Sequence, residues 1–169
     1  MDRLWSPWRA KYIASGVDSQ AEGCVFCSMA ADPEHDEGNF VLHRAEYAFI
    51  VLNLYPYITG HLMVVPYLHT SEFDSVPKEI TDEMMDLAKR SQTALREVYS
   101  PSGFNLGMNL GGVAGAGITD HVHIHLLPRW LGDTNFMTTV AETRVLPEDL
   151  ETTYSKLQPS FSHKKAQKS

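Results

Sequence analysis

The sequence predicts an α+β fold in which a mostly antiparallel sheet of five strands carries one long helix, and three observations point there. Along residues 120–127, His121, His123 and His125 alternate strictly with Val122, Ile124 and Leu126, the period of a strand whose two faces differ in chemistry. Between Pro77 and Tyr99, Ile80, Met84, Leu87, Ala88, Leu95 and Val98 recur at three- and four-residue spacing among charged residues, the pattern of an amphipathic helix. The resulting order β-β-β-α-β-β leaves no run of parallel crossovers, which favours α+β over α/β.

The elements follow in order. The opening Leu4-Trp5-Ser6-Pro7-Trp8-Arg9-Ala10-Lys11-Tyr12-Ile13 is too apolar for a solvated tail. It reads either as an arm, covering residues 1–20, laid on a second subunit or along a ligand pocket, or as a covering segment of its own domain. The main domain is expected over residues 21–147. Residues 32–39 are polar and loop-like. Strands are expected at residues 40–43, 48–53 and 61–66, the last two joined by a turn marked by Pro56 and Gly60. Pro77 suits a first helical position, and Ser100-Pro101-Ser102-Gly103 ends the helix. Residues 104–109 alternate as a strand, and the glycine-rich stretch 111–117 leads into the strand at 120–127. Beyond Pro147 an extension, residues 148–161, has an apolar patch at 150–157 that suits a short helix. Residues 162–169, with Lys164, Lys165 and Lys168, are expected to be disordered.

Bulk properties narrow the possible roles. With 169 residues, 43% of them hydrophobic, the chain can bury the core of one domain. A formal charge of −7 argues against a nucleic-acid partner, whose phosphates need a basic surface. No apolar run reaches membrane-spanning length and the first residues lack a signal-peptide core, so no membrane partner and a cytoplasmic location are expected. A small anion remains possible, because histidines, backbone N–H groups and Arg129 can supply local donors.

Three imidazoles on one face, about 7 Å apart, suit a phosphate chain or a metal beside a nucleophile. Packing three polar rings without such a purpose would require a hydrogen-bond partner for each. Cys24 and Cys27 are the only cysteines and sit as Cys-Val-Phe-Cys: a redox dithiol, half a zinc site, or two packing residues. The stretch 111–117 has four glycines in seven positions and is either a phosphate cradle or a flexible hairpin.

The motif His121-x-His123-x-His125 followed by Leu126-Leu127 resembles the signature of the histidine triad (HIT) family of nucleotide hydrolases and transferases. Leu52-Asn53, Gly60-His61-Leu62-Met63-Val64-Val65-Pro66, and the segment from Asn105 to Gly117 look like the family's preceding segments in the right order. Residues 24–136 are covered. Leu-Trp-Ser-Pro-Trp-Arg from Leu4, Leu-Asn-Leu-Tyr-Pro-Tyr from Leu52 and Pro-Arg-Trp-Leu-Gly-Asp-Thr-Asn-Phe from Pro128 resemble the bacterial diadenosine tetraphosphate phosphorylase-like branch.

The resemblance implies cleavage of dinucleoside polyphosphates, with phosphate or water as acceptor, through a covalent nucleotidyl-histidine on His123. The carbonyl of His121 would hold its second ring nitrogen, His125 would donate to the phosphate or bridging oxygen, and His61 would help orient the site. It also implies a structural zinc on Cys24, Cys27, His69 and His121, and a homodimer whose two sheets join into ten strands. Asn53 matches a position that bonds the ribose, although an Asn at a strand end also caps turns. Asn109 and Trp130 match substrate-contacting positions. Phe49 and Leu52 are candidates for the base pocket, with core packing as the alternative. Gly115, Ala116 and Gly117 would offer backbone N–H groups to phosphate. Where the family carries Gln or Ser/Thr in this loop, the chain has Gly117 and Ile118, with Thr119 one place off, so no side-chain help to the leaving group is implied there. Hydrolysis of purine nucleoside phosphoramidates is the enzymatic alternative, and a nucleotide-binding regulatory module without turnover is the alternative of another class.

Overall fold

A computed structural model of the chain describes residues 23–133 and 148–162. The aromatic arm at 1–20, with residues 21 and 22, residues 134–147 and the tail from 163 onward lie outside the described residues. The elements run α1 (Val25–Ala31), β1 (Val41–Arg44), β2 (Ala48–Leu52), β3 (Leu62–Pro66), α2 (Lys78–Tyr99), β4 (Gly103–Gly107), β5 (Ile124–Arg129) and α3 (Leu150–Ser162), with short 3-10 turns at Pro33–His35, Phe73–Ser75 and Gly112–Ala114. The five strands form one antiparallel sheet in the order β1-β2-β3-β5-β4.

Both faces of this sheet are covered, which is why β2, Ala-Phe-Ile-Val-Leu, and β3, Leu-Met-Val-Val-Pro, are buried at every position. On one face Ile50, Leu52, Leu62, Val64, Ile124 and Leu126 pack against Met84, Leu87 and Leu95 of α2 and Leu157 and Phe161 of α3. On the other, Val41, Phe49, Val51, Met63 and Val65 meet Phe26 and Met29 of α1. Full burial of each such side chain contributes roughly 1.5–3 kcal/mol.

Several boundaries differ from the sequence reading for identifiable reasons. Pro77 is the N-cap of α2, with φ −53° and ψ 145°, and not its first helical residue. The helix stops where Ser100 turns left-handed at φ 47°, its N–H bonded to the Arg96 carbonyl, and Pro101 cannot continue it. β5 begins at Ile124, so His121 and His123 precede the regular ladder. The ladder gives out because Pro66, at the end of β3, has no N–H to donate and its carbonyl accepts from the His121 ring. The N–H of Val122 instead goes to the carbonyl of Thr70, at 2.8 Å. The C-terminal helix runs to Ser162, through Pro159, so Ser162 closes a helix and does not open a tail. Arg90 of α2 anchors it by donating to the Phe161 carbonyl at 2.7 Å and to His43 Nε2 at 2.8 Å.

Between β2 and β3 the turn depends on Gly60. Its φ is +77°, and a Cβ there would stand 3.0 Å from Leu95 Cδ2 and 3.3 Å from Pro128 Cγ. Both the backbone conformation and the space therefore require glycine, and the turn it closes delivers His61 to the site.

Candidate active site and metal centre

Four histidines gather on the α1 side of the sheet, and the hydrogen bonds around them fix which ring nitrogen of each carries the proton. His123 donates from Nδ1 to the carbonyl of His121, at 2.8 Å. Its Nε2 is then a bare lone pair, the state a nucleophilic imidazole needs. Burial pushes the His123 pKa below its ordinary value, ahead of an opposing pull from that carbonyl, so the ring is neutral at pH 7.

His125 has the opposite polarity. The backbone N–H of Tyr57 points at His61 Nδ1, 3.2 Å away, which makes Nδ1 an acceptor and leaves the His61 proton on Nε2. That proton is donated to His125 Nδ1 at 3.0 Å, so His125 keeps its own on Nε2. The rings of His123 and His125 stand 4.7 Å apart at 81°. A lone pair and an N–H donor thus sit side by side, so a phosphorus approached by the first has an oxygen within reach of the second.

His61 is almost wholly buried, and its pKa is lowered to about 3 by burial first, then by His125 and His123. An unfolded chain takes up a proton at His61 near pH 6.5, whereas the folded chain does not until about pH 3. Stability is therefore expected to be unaffected by this group above pH 6.5 and to fall as pH drops from there towards 3. Between pH 7 and pH 5 the loss is about 2 kcal/mol for one such group. Urea unfolding at the two pH values checks this, with His61→Asn expected to show a correspondingly smaller pH dependence.

Beside the triad, His121 Nε2 donates to the Pro66 carbonyl at 2.8 Å, leaving Nδ1 as a lone pair. That nitrogen lies 3.3 Å from Cys24 Sγ, 3.7 Å from Cys27 Sγ and 3.3 Å from His69 Nδ1, and His69 Nδ1 is 3.3 Å from Cys27 Sγ. The four ligand atoms all lie within 4.8 Å of one another. A tetrahedral ion bound at ~2.3 Å to sulfur and ~2.0–2.1 Å to nitrogen gives ligand–ligand edges of roughly 3.3–3.8 Å, so the cluster has the donors and spacing to hold a metal. With four protein ligands such a site has no open position, and the Pro66 carbonyl supplies the outer partner that orients a ligating imidazole. Phe26, between the two cysteines, backs both centres, its ring 5.4 Å from that of His121 and 5.1 Å from that of His123.

The remaining sequence candidates divide. Asn53 accepts the Tyr55 N–H on Oδ1 at 2.9 Å and places Nδ2 3.3 Å from His61 Nδ1, so it caps the turn and also touches the site. Phe49 and Leu52 have 0% and 1% exposure and lie on opposite faces of the sheet, Phe49 stacked on Tyr67 and Leu52 in the α2 core. Neither offers surface for a base, and core packing accounts for both. Trp130 donates its indole N–H to the Tyr99 carbonyl at 3.3 Å. It stands seven positions after His123, about 23 Å along extended chain, with the six residues of β5 between them, so within one chain it is remote from that ring. Arg129 is taken by Asp133, at 2.5 and 2.8 Å, and by Asn105 at 2.7 Å, and does not serve as an open anion donor. Asn109 is half-buried just beyond β4. In the glycine-rich loop, Gly111 and Gly115 have φ of +80° and +91°, Gly115 and Gly117 are exposed, Ala116 is half-buried, and Ile118 packs towards the α1 cluster. Sequence reasoning missed Phe26 and Tyr57; the former was visible as the apolar residue inside Cys-Val-Phe-Cys.

A family model described as the HIT domain matches residues 35–130, more than half of the chain and the segment that holds all four site histidines. The chain belongs to the HIT family. Its HIT relatives include an AP-4-A phosphorylase of Mycobacterium tuberculosis, 37% identical over 157 residues that make up 90% of this chain and 80% of the relative. A bis(5'-nucleosyl)-tetraphosphatase (asymmetrical) of Schizosaccharomyces pombe is 32% identical over 97 residues, 57% of this chain and 52% of that one. Among solved structures, a Zn-bound histidine triad family protein from Mycobacterium smegmatis superposes with a TM-score of 0.67 at 27% identity, covering 83% of this chain and 94% of the other. The HIT match begins after Cys24 and Cys27, so the two thiols of the metal cluster come from chain N-terminal to the matched segment.

Proposed function

We propose that this HIT protein cleaves dinucleoside polyphosphates in two steps through a nucleotidyl-histidine on His123. The observation that carries the reading is the paired polarity of His123 and His125. In the first step the His123 Nε2 lone pair forms a P–N bond at the α-phosphorus. The P–O bond to the rest of the polyphosphate breaks, and its electron pair leaves on a phosphate oxygen that accepts a hydrogen bond from His125 Nε2–H. That leaving group is an ionised nucleotide and needs no proton. The ring charge that develops on His123 is held by Nδ1–H against the His121 carbonyl. In the second step phosphate or water attacks phosphorus and the P–N electrons return to His123. The name of the mycobacterial relative favours phosphate as the acceptor, which would give a nucleoside diphosphate.

Cys24, Cys27, His69 and His121 hold a structural zinc in this reading, which the sulfur and imidazole donors favour over a hard cation. When bound, the ion cross-links α1 to the chain after β3 and to the start of the triad, and it supplies no reacting group. The protein is cytoplasmic and works as a homodimer. β4, at the edge of the sheet with Leu106 half exposed and Leu110 and Val113 following it, is the edge most in need of cover.

The test is incubation with diadenosine tetraphosphate with and without inorganic phosphate, identifying the nucleotides released. ATP with ADP marks phosphate as acceptor, and ATP with AMP marks water. Release of neither, with hydrolysis of an adenosine phosphoramidate, would replace the reading by the phosphoramidase alternative. Binding without either reaction would leave a regulatory module.

A further inference from the structure

We infer that Asn53 is a positioning residue that, through His61, holds His125 as a hydrogen-bond donor. This rests on the catalytic reading above, but its physical content is a statement about proton positions in the free protein. The Tyr55 N–H, 2.9 Å from Asn53 Oδ1, orients the amide so that its NH2 end faces His61 Nδ1 at 3.3 Å. Turning the amide over would set its oxygen against the Nδ1 lone pair and its NH2 group against the Tyr55 N–H, losing both contacts. With the Tyr57 N–H at 3.2 Å, two donors converge on one ring nitrogen. His61 is buried and neutral, so its single proton sits on Nε2, and the 3.0 Å contact to His125 Nδ1 passes the same polarity on.

The turn from Asn53 to Gly60 is in this view a device for setting, through His61, the tautomer of a ring 64 residues beyond His61 in sequence. A His125 ring with the opposite tautomer would present a lone pair to an anionic phosphate. The side chain suited to ribose contact thus has a second task, carried by the other end of its amide.

The experiment uses the full-length metal-loaded protein labelled with 15N-histidine, without nucleotide, and Asn53→Asp, a variant of the same size whose carboxylate accepts where the amide donates. Two-bond proton–nitrogen spectra should show His61 and His125 as Nε2–H tautomers in the wild type, and His61 shifted towards Nδ1–H in Asn53→Asp. The kcat of the variant on diadenosine tetraphosphate should fall about 100-fold, the loss typical of one oxyanion-type donor, and by the same factor on the 2′,3′-dideoxy analogue. A deficit that vanishes on the dideoxy substrate would assign Asn53 to the ribose alone and overturn the inference. So would a wild-type His61 protonated on Nδ1, or a variant with unchanged tautomers. If Asn53→Asp fails to fold, the wild-type spectrum decides by the same criterion. A wild type with the stated tautomers and no turnover of dinucleoside polyphosphates would overturn the proposed reaction and not the tautomer lock.

Discussion

His123→Ala is expected to abolish turnover, by on the order of 10⁴-fold or more, the scale on which loss of a covalent nucleophile is felt. Nucleotide affinity should stay within a few-fold of wild type. The ring is 4% exposed and backed by Phe26, so it presents little more than its Nε2 edge to a ligand and makes few ground-state contacts. Kinetics of nucleotide release and calorimetric binding separate the two quantities. Because alanine also leaves a gap beside Phe26, His123→Asn serves as a second variant with less change in volume. A tenth of wild-type activity remaining in both would rule out the covalent route.

Cys24→Ser, or treatment with a strong chelator, is expected to lower thermal stability by several kcal/mol, on the order of 10 °C in Tm for a domain of this size. The cluster ties the start of α1, which buries only Phe26 and Met29, to two distant parts of the chain, so its loss leaves the helix held by that packing and by the Arg44 bonds to the Met29 and Ala30 carbonyls at its end. Protein purified without added metal should contain about one zinc per chain if all four ligands act. Wild-type Tm in Cys24→Ser together with metal-free protein would reduce both cysteines to packing residues.

The parts of this fold that sequence made legible are those whose signal is local. The amphipathic α2 and the alternating triad segment repeat a pattern over enough residues to be read, whereas the meeting of Cys24 and Cys27 with His69 and His121 was implied only by the family resemblance. What stayed hidden depends on tertiary approach. α1 spans seven residues, two turns with two buried side chains, too short for periodicity to register. β2 is an uninterrupted apolar run because both its faces are covered, so nothing in Ala-Phe-Ile-Val-Leu says that Phe49 and Leu52 point into different cores. Asn53 offered a turn cap or a ribose contact, and its approach to His61 exists only because Gly60 brings the ring back alongside it. Arg129 looked available until Asp133, four residues on, closed around it.

β5 has a consequence for how this chain can change. It is paired on both sides, Leu126 with Leu62 of β3 and with Leu106 of β4, and the Val122 bond to Thr70 holds the approach to it. A slip of one residue would turn the imidazoles into the α2 core and bring Ile124 and Leu126 out where a phosphate chain would lie, so a small displacement along the strand would cost both the core and the chemistry at once. An insertion or deletion between β4 and the triad is tolerable only if the chain absorbs it before His121. The loop at residues 108–120, exposed for most of its length, can do so. Whatever length that loop takes, the phase of the strand it feeds is fixed.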